Sequence, residues 1–327
     1  SHYVHTGSLI ILLERLMSFF KTIGNIIVKT ILGNSPGLLL FFASYTHSND
    51  IPEIVVTADL RQSTTMETAS SLTIVSEQVI EVRSAQHFED IINIIPNVNF
   101  ASGSNRARFF QIRGIGERSQ FVNPVNPSVG VLIDDVDFSG AGTIATLMDV
   151  QQVEVLRGPQ GTRYGANALA GLINFSTNEP DETFFTSIKL SGGEFGTQTA
   201  GVVLNVPISK TLFSRFVFES HESDGYIEND FKDSNTTNDR DELTSRAKFA
   251  WQVKENWSLN LSLAFIDVDN GYDAFSLDNN RHTLSDEPGF DRQNSAYVSL
   301  KSSWQLDGID IDVLWNQSDS DLDYGYD

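Results

Sequence analysis

The sequence predicts a small α+β domain over residues 59–179, followed by antiparallel transmembrane β-barrel strands over residues 180–327. Two observations predict this division. Residues 59–179 contain 8 arginines and no lysine, whereas residues 180–327 carry 27 Asp and Glu against 11 Lys and Arg. The second part also contains seven segments in which apolar and polar residues alternate, which is the period of a β-strand. The composition changes near Pro180, where we place the domain boundary.

Composition excludes several classes of function. The chain has no cysteine, which excludes disulfides, thiolate nucleophiles and cysteine metal sites. A net charge of −21 argues against a nucleic acid partner, because binding phosphates needs a basic face. The six histidines are scattered without the spacing of metal ligands. No nucleophile, base and oxyanion hole come together in the pattern, so we expect no catalytic residues and no enzyme.

Residues 1–50 are predicted to be a signal or export segment. Met17 is a plausible start, which would make residues 1–16 upstream read-through, and Lys21 and Lys29 then form a positive n-region. The apolar core 37–43 is too short for the alternative, a membrane anchor, because a spanning helix needs about 20 residues.

The α+β domain is predicted from short apolar segments separated by glycines. We expect strands at 71–75, 109–112, 129–133, 152–156 and 172–176, and a helix capped by Ser84 that ends at Ile95. Asp134 and Asp135 are expected in a hairpin turn before 136–138. A solvated turn is favoured there over a metal or acid–base site that includes Asp137, because Asp is a common turn former.

The glycines at 153–177 do not indicate a nucleotide site, because a phosphate cradle requires a long helix directly after the glycine-rich turn. Instead, Arg157–Thr162, Tyr164–Gly171 and Ile173–Asn174 resemble the plug-domain signature of the TonB-dependent outer-membrane receptors, as do Ile112–Gly114 and Val131–Asp134. The resemblance implies the bacterial outer membrane and active, ligand-gated transport. It also implies contact with outer-membrane lipid and with the periplasmic domain of TonB and its inner-membrane energising complex. The expected cargo is a ferric siderophore, with cobalamin or an oligosaccharide left open.

Residues 51–58 hold a β-prone segment beside a polar linker. Such a strand is either the first strand of the next domain or a strand offered to the sheet edge of a partner. Its position is similar to the TonB box of these receptors, which assigns TonB binding to Ile54, Val55, Val56, Thr57 and Ala58.

The resemblance also assigns roles inside the plug. Arg113 and Arg157 are expected to latch the plug to glutamates on the inner barrel wall, which would lie beyond Asp327; the alternative is salt bridges within the domain to Glu154 or Asp149. Residues at the plug apex are candidate ligand contacts: Asn105, Arg106, Arg108, Phe109, Gln120, Phe121 and Asn123.

The barrel strands are predicted at 186–191, 200–206, 212–220, 246–253, 257–265, 296–306 and 309–316. Short turns alternate with long acidic connections at 221–242 and 267–294, which is the sidedness of a transmembrane barrel. Arg246, Lys248, Asp310 and Asp312 would face a wet lumen. Plugged outer-membrane barrels have about 22 strands, so seven would be the first part of one.

Alternatives to a plugged transporter are a passive or adhesive barrel without a folded plug, and a soluble β-rich enzyme, for which no catalytic cluster is present. Asp267, Asp269 and Asp273 could suggest calcium, but a solvated loop is favoured because Gly271 stands where a ligand is needed.

Overall fold

The structure is a computed structural model, and it describes residues 55–56, 63–64, 71–102, 104–118, 126–140, 144–164 and 167–326. The chain divides into two compact units, residues 1–69 and residues 70–327. In the first unit, β1 (Val55–Val56) pairs antiparallel with β2 (Ser63–Thr64), with Val55 opposite Thr64.

The second unit begins with a small α+β domain. Its strands are β3 (Ser71–Ser76), β4 (Val98–Ala101), β5 (Phe109–Ile112), β6 (Val129–Ile133), β7 (Val136–Asp137), β8 (Val150–Arg157) and β9 (Gly171–Thr177). Its helices are α1 (Glu77–Val82), α2 (Glu89–Ile92) and α3 (Gly161–Tyr164). Five strands form a mixed sheet in the order β3-β8-β9-β6-β7, and β4 and β5 form a separate hairpin.

The core of this domain lies where the helical segment packs on the five-stranded sheet. Phe88 is fully buried and makes edge-to-face contacts with Phe110 and Phe175, at ring-centroid distances of 5.5 and 5.1 Å. Ile91, Ile92 and Ile95 are also buried, as their helical spacing predicts. β8 and β9 are buried along almost their whole length, which explains why they appear in the sequence as continuous apolar runs.

The predicted helix from Ser84 to Ile95 is wrong in its bounds. Ser84 has a φ of +51° and lies in a turn, where its backbone cannot begin a helix. The first helix, α1, lies before this turn, and α2 occupies only one turn after it. The chain therefore forms a turn between α1 and α2 at Ser84, the residue that the sequence predicts as the helix cap.

Seven long strands form an antiparallel sheet, which we call the wall. They are β10 (Phe185–Gly192), β11 (Gln198–Pro207), β12 (Leu212–Ser223), β14 (Arg240–Lys254), β15 (Trp257–Tyr272), β17 (Gly289–Leu306) and β18 (Ile309–Gly325). Each pairs with the next wall strand along the chain, so the seven predicted antiparallel strands are confirmed. In the described part of the chain β10 and β18 are the two edges, and the wall is not closed.

The wall strands extend further toward the long loops than predicted. β17 begins at Gly289 rather than at residue 296, and β15 continues to Tyr272. The alternating apolar pattern stops earlier because these upper strand segments carry polar residues such as Asp291 and Asn270, which face the α+β domain.

One face of the wall is apolar and exposed. Its outward residues include Trp251, Leu300, Val313 and Trp315, each more than one third exposed. Trp257 and Trp304 are register partners whose rings stack at 6.2 Å near the short turns, as expected for an interfacial aromatic girdle. No described helix is long and apolar enough to cross a membrane.

The two long connections are joined to each other. β13 (Glu228–Asn229) in the first pairs in parallel with β16 (His282–Thr283) in the second. The buried carboxylate of Asp273 accepts hydrogen bonds from Asn229 Nδ2 at 2.8 Å, Thr237 Oγ1 at 2.7 Å and Thr283 Oγ1 at 2.8 Å.

Candidate functional site: the interface between the α+β domain and the wall

Polar and charged residues of the inner wall face the α+β domain in two tiers. The long-loop tier lies at the strand ends that carry the long connections and is acidic on the wall side, with Glu242 and Asp291. The short-turn tier lies about halfway toward the short turns and is basic on the wall side, with Arg215 and Lys248 as register partners. Each tier contacts groups of opposite charge on the domain.

Glu242 is the centre of the long-loop tier. Its carboxylate accepts hydrogen bonds from Arg106 Nη1 at 3.0 Å, from Asn270 Nδ2 at 2.9 Å and interacts with His87 Nε2 at 2.8 Å. The side chains of Arg106 and Glu242 are only 1% and 3% exposed. A buried guanidinium of this kind is tolerated because a carboxylate and backbone carbonyls satisfy its donors.

Arg106 also stabilises the domain itself through Glu89 in α2. Glu89 accepts the Arg106 Nε–H at 3.3 Å and the Ala107 N–H at 2.7 Å. Burial raises the pKa of the Glu89 carboxyl, but Arg106 and the Ala107 N–H more than offset this, so the pKa lies below its ordinary value. The segment between β4 and β5 is thereby tied to α2 and to the wall through one side chain.

Two neighbours of Arg106 reach the same end of the wall. Arg108 donates from Nη2 to Asp291, which is fully buried, and its guanidinium lies over the Tyr324 ring at 5.5 Å from the centroid. Asn105 donates from Nδ2 to the carbonyl of Gly271. The segment 104–109 is thus held at the long-loop end by three successive polar contacts.

Asp134 anchors the short-turn tier. Asp134 and Asp135 have φ values of +48° and +66°, as a type I′ turn between β6 and β7 requires. The Asp134 carboxylate accepts hydrogen bonds from Lys248 Nζ at 3.0 Å, Tyr297 OH at 3.1 Å and the Thr177 N–H at 2.9 Å. Burial raises the pKa of Asp134, but Lys248 and the Thr177 N–H more than offset this, and the pKa lies below its ordinary value.

A second anchor of this tier is the ion pair between Asp149 and Arg215, in which Arg215 Nη2 lies 2.5 Å from Asp149 Oδ1. Asp149 has a φ of +59°, so its backbone is held in an uncommon conformation at the start of β8. The adjacent Met148 carbonyl accepts a hydrogen bond from Arg246. The Met148 sulfur lies against Gly201, and a Cβ at position 201 would stand 2.4 Å from that sulfur.

The structure does not place Arg113 and Arg157 in ion pairs with any residue it describes. Arg113 is exposed in a tight turn with a φ of +55°, and Arg157 donates to Thr73 Oγ1 at 2.6 Å and Ser71 Oγ at 3.1 Å. Among the described residues no ion pair joins these arginines to Asp149 or Glu154: Asp149 binds Arg215, and Glu154 accepts hydrogen bonds from amides, including Asn174 Nδ2 at 3.1 Å. Partial burial and the nearby Arg113 lower the pKa of Arg157.

The predicted apical residues divide into three groups. The side chains of Arg106 and Arg108 are buried in ion pairs to the wall, and their role as ligand contacts stays a prediction. Asn105 and Phe109 are half-buried at the long-loop end. Gln120, Phe121 and Asn123 lie outside the described residues, as do Ile54, Thr57 and Ala58 of the β-prone segment.

The carboxylates considered for metal binding are engaged elsewhere. Asp134 is not in a solvated turn, as the sequence suggested, because Lys248 and Tyr297 cover it. Asp269 pairs with Arg292 at 2.7 Å, and Asp273 binds amide and hydroxyl donors. Among the described residues no group of three or more His, Cys, Asp or Glu could hold a metal ion.

Sequence reasoning missed the pairing but contained one signal for it. Arg246 and Lys248 stand at the inward positions of an alternating strand, and a charge there requires water or a partner. The partners, Asp134 and the Met148 carbonyl, lie about 100 residues earlier in the chain, and no local pattern links them.

Comparison with known proteins agrees with this arrangement. The TonB-dependent Receptor Plug Domain family matches residues 64–172. This segment matches the plug domain of the TonB-dependent receptors. The chain is 34% identical over 152 residues to the pesticin receptor of Yersinia pestis, a match that covers 45% of the chain and 22% of the relative. It is 28% identical over 174 residues to the vitamin B12 transporter BtuB of Vibrio vulnificus, covering 50% of the chain and 27% of the relative.

The fold is also that of solved receptors. The ferric yersiniabactin uptake receptor FyuA from Yersinia pestis superposes with a TM-score of 0.66 at 22% identity, over 77% of this chain and 41% of that one. The α+β domain therefore has the fold of a receptor plug, and the wall has the fold of part of a receptor barrel. Both agree with a location in the bacterial outer membrane. From here on we call the α+β domain the plug. The chain spans about a quarter of the length of the curated relatives named here.

Proposed function

We propose that the protein is a TonB-dependent active transporter that imports a scarce solute, first of all a ferric siderophore, across the outer membrane. The observation that carries this proposal is a folded plug domain attached to the inner wall by two tiers of ion pairs. A passive or adhesive barrel has no use for such a domain, which occupies the space through which a solute would diffuse.

The two tiers suit a plug that must be released. A buried ion pair adds little net stability over apolar packing, but separating its partners leaves a buried charge uncompensated, at a cost of about 3–5 kcal/mol. Contacts of this kind hold the plug in one register until a partner exerts force on it. Cargo at the long-loop end would act on segment 104–109, whose contacts with the wall include Glu242 and Asp291.

TonB is the proposed partner of the β-prone segment 51–58. Val55 and Val56 already form a strand, paired with Ser63 and Thr64 of the same unit. Release of this pair would free their backbone groups for pairing with a partner sheet. Cargo binding is proposed to shift the population toward that released state.

The siderophore is the preferred cargo because FyuA is named as a ferric yersiniabactin uptake receptor. Cobalamin is the second candidate, supported by the identity to a vitamin B12 transporter, and an oligosaccharide is the third.

A pull-down with the periplasmic domain of TonB tests the proposal. The receptor is expressed in outer membranes as wild type, as Val55→Pro, which removes a backbone donor from the pairing strand, and as Val55→Thr, a control that keeps the donor. Each is assayed alone, with extract from iron-starved culture and with cobalamin.

The proposal expects binding that the extract enhances, that Val55→Thr retains and that Val55→Pro abolishes. Binding by none of the three proteins would refute coupling to TonB and favour the passive barrel. TonB binding that cobalamin enhances and the extract does not would indicate cobalamin, rather than a siderophore, as the cargo.

A further inference from the structure

A cavity of about 1020 Å³ lies between the plug and the first three wall strands. On the plug side it is lined by α1, by Gln86 and by residues 147–150. On the wall side it is lined by inward residues of β10, β11 and β12, and at the edge strand β10 also by Ile188 and Leu190 of the opposite face. Its volume is at the upper end of the range of small-molecule pockets, which is about 300–1,000 Å³. The cavity extends from Thr199 and His221 in the upper half of the wall to Arg215 nearer the short turns.

Two polar contacts span the cavity from plug to wall: the Asp149–Arg215 ion pair nearer the short turns, and a bridge around Gln86. Gln86, on the plug, accepts a hydrogen bond from Lys189 Nζ at 3.0 Å and donates from Nε2 to Glu219. Lys189 Nζ also lies 3.3 Å from Glu219. Lys189 and Glu219 are both register partners of Gly201, so the bridge crosses β10, β11 and β12 at one level.

The bridge divides the cavity along the strands. Ser191 lies two residues above Lys189 toward the long-loop end, and Ser187 lies two residues below it toward the short turns. All three alternate positions share the inner face, because successive side chains of a strand point to opposite faces.

We infer that cargo passes the plug through this cavity, and that the Gln86–Lys189–Glu219 bridge is its closure. The inference rests on the proposed transport function and adds the location of the path. The alternative side of the plug is less open: there Asp134, Lys248 and Tyr297 are buried against one another.

The charges of the cavity specify the class of solute. Its lining contains Glu77, Glu81, Asp149 and Asp181, against Lys189 and Arg215. Both cations already have carboxylate partners, since Lys189 binds Glu219 and Arg215 binds Asp149. An anion would meet uncompensated carboxylates, so the path favours a hydrophilic chelate that is neutral or positively charged.

Cysteine labelling tests the path, because the chain contains no cysteine of its own. Ser187→Cys and Ser191→Cys are introduced separately into the receptor in porin-deficient cells. Each is labelled from outside with a cationic trimethylammonium methanethiosulfonate and with an anionic sulfonate methanethiosulfonate. The bridge is then removed by Gln86→Ala or, in a second variant, by Lys189→Met; Gln151→Ala, at an exposed glutamine of β8, is the matched control.

We expect either bridge variant to accelerate cationic labelling of Ser187→Cys by roughly tenfold, the effect of losing one charge-assisted hydrogen bond. Labelling of Ser191→Cys and the Gln151→Ala background should not change, and the anionic reagent should react more slowly at Ser187→Cys than the cationic one. An unchanged rate at Ser187→Cys in both bridge variants, with wild-type heat-modifiable mobility, would overturn the path. Faster anionic labelling would overturn the charge assignment.

The assay needs neither TonB nor cargo. A negative result therefore leaves the transport proposal standing, whereas a failed TonB pull-down with positive labelling refutes the transport proposal alone.

Discussion

At the scale of single residues, Asp134 contributes both to the internal structure of the plug and to its attachment to the wall. Its left-handed backbone forms the hairpin turn that the sequence predicts, while its carboxylate joins β9 through Thr177 and the wall through Lys248. The side chains of Asp134 and Lys248 are 7% and 6% exposed, and Lys248 Nζ also pairs with Glu179 at 2.8 Å.

We predict that Asp134→Asn will destabilise the attachment of the plug by about 1–3 kcal/mol, because it removes one of the two carboxylates that compensate the buried Lys248 ammonium and leaves only Glu179. The measurement is thermal unfolding of the detergent-solubilised receptor, combined with protease sensitivity of the plug. Asp137→Asn is the matched control, since Asp137 lies on the same hairpin but is exposed. Equal behaviour of the two variants would contradict the role given to Asp134.

Acid should loosen the same contacts. Asp134 and Glu89 have folded-state pKa values below their ordinary values of 3.8 and 4.5. A carboxyl with a depressed pKa contributes stability that is complete above its unfolded pKa and is lost as the pH falls through its folded pKa. We therefore expect a constant melting temperature from about pH 5 to 8 and a decline below about pH 4. The decline should be smaller in Asp134→Asn; an equal decline would assign it to other carboxyls.

The paired residues were hard to predict because their partners are distant in sequence. The sequence predicts Arg106 and Arg108 as apical residues, and they lie at the long-loop end, but nothing in the sequence shows that Glu242 and Asp291 face them. The family resemblance assigns Arg113 and Arg157 to ion pairs with glutamates on the inner barrel wall, and that role stays a prediction. In the structure Arg157 instead supports β3 through Ser71 and Thr73.

At the scale of elements, Gly171 marks a close approach between the backbones of β9 and β8, which are antiparallel neighbours in the sheet. A Cβ there would lie 2.3 Å from the Leu156 carbonyl oxygen and 2.6 Å from Ile112 Cδ1. We predict that Gly171→Ala will destabilise the plug by about 1–3 kcal/mol through overpacking. Hydrogen exchange of the plug sheet in the intact receptor would measure the loss.

Gly161, in the same glycine-rich segment, is the control for this variant. No atom lies within 4 Å of the position where its Cβ would stand. Gly161→Ala should change stability by no more than about 0.5 kcal/mol. Similar losses in both variants would mean that the motif is sensitive as a whole rather than at the close approach.

The elements that sequence predicted best are those with one dominant environment. The strands at 109–112 and 129–133 agree with β5 and β6, and all seven wall strands are present, because alternation reflects one apolar and one polar face. α1 was missed because only Ile80 of its six residues is buried, so it presents no apolar stripe. β4 was missed because two of its four residues are exposed.

At the scale of the whole molecule, the plug and the wall are electrostatic complements. Arg215 and Lys248 are neighbours across two wall strands, and Arg246 lies close by on the same face. Without Asp134 and Asp149 of the plug, these cations would repel one another in the lumen. The wall sequence therefore presupposes an occupant of opposite charge.

Lipid exposure of the outer face gives a prediction at this scale. Leu261 is on the face of Trp257 and pairs with Leu300, so Leu261→Arg places a charge against hydrocarbon at a cost of about 2–4 kcal/mol near the membrane midplane. Folding into lipid vesicles, followed by heat-modifiable mobility, should show a reduced yield. Ser258→Arg, on the inner face of the same strand, should fold normally; failure of both would argue against this assignment of faces.

The pairing of β13 with β16 has a consequence for how such a receptor can diversify. Asp273 belongs to one long connection, but Asn229 and Thr237, two of its three hydrogen-bond donors, belong to the other. A transplant of either connection alone into another receptor would bury a carboxylate or its donors without partners. The two connections therefore have to be exchanged together. A recombinant receptor should keep the fold of this region only when both connections come from the same parent.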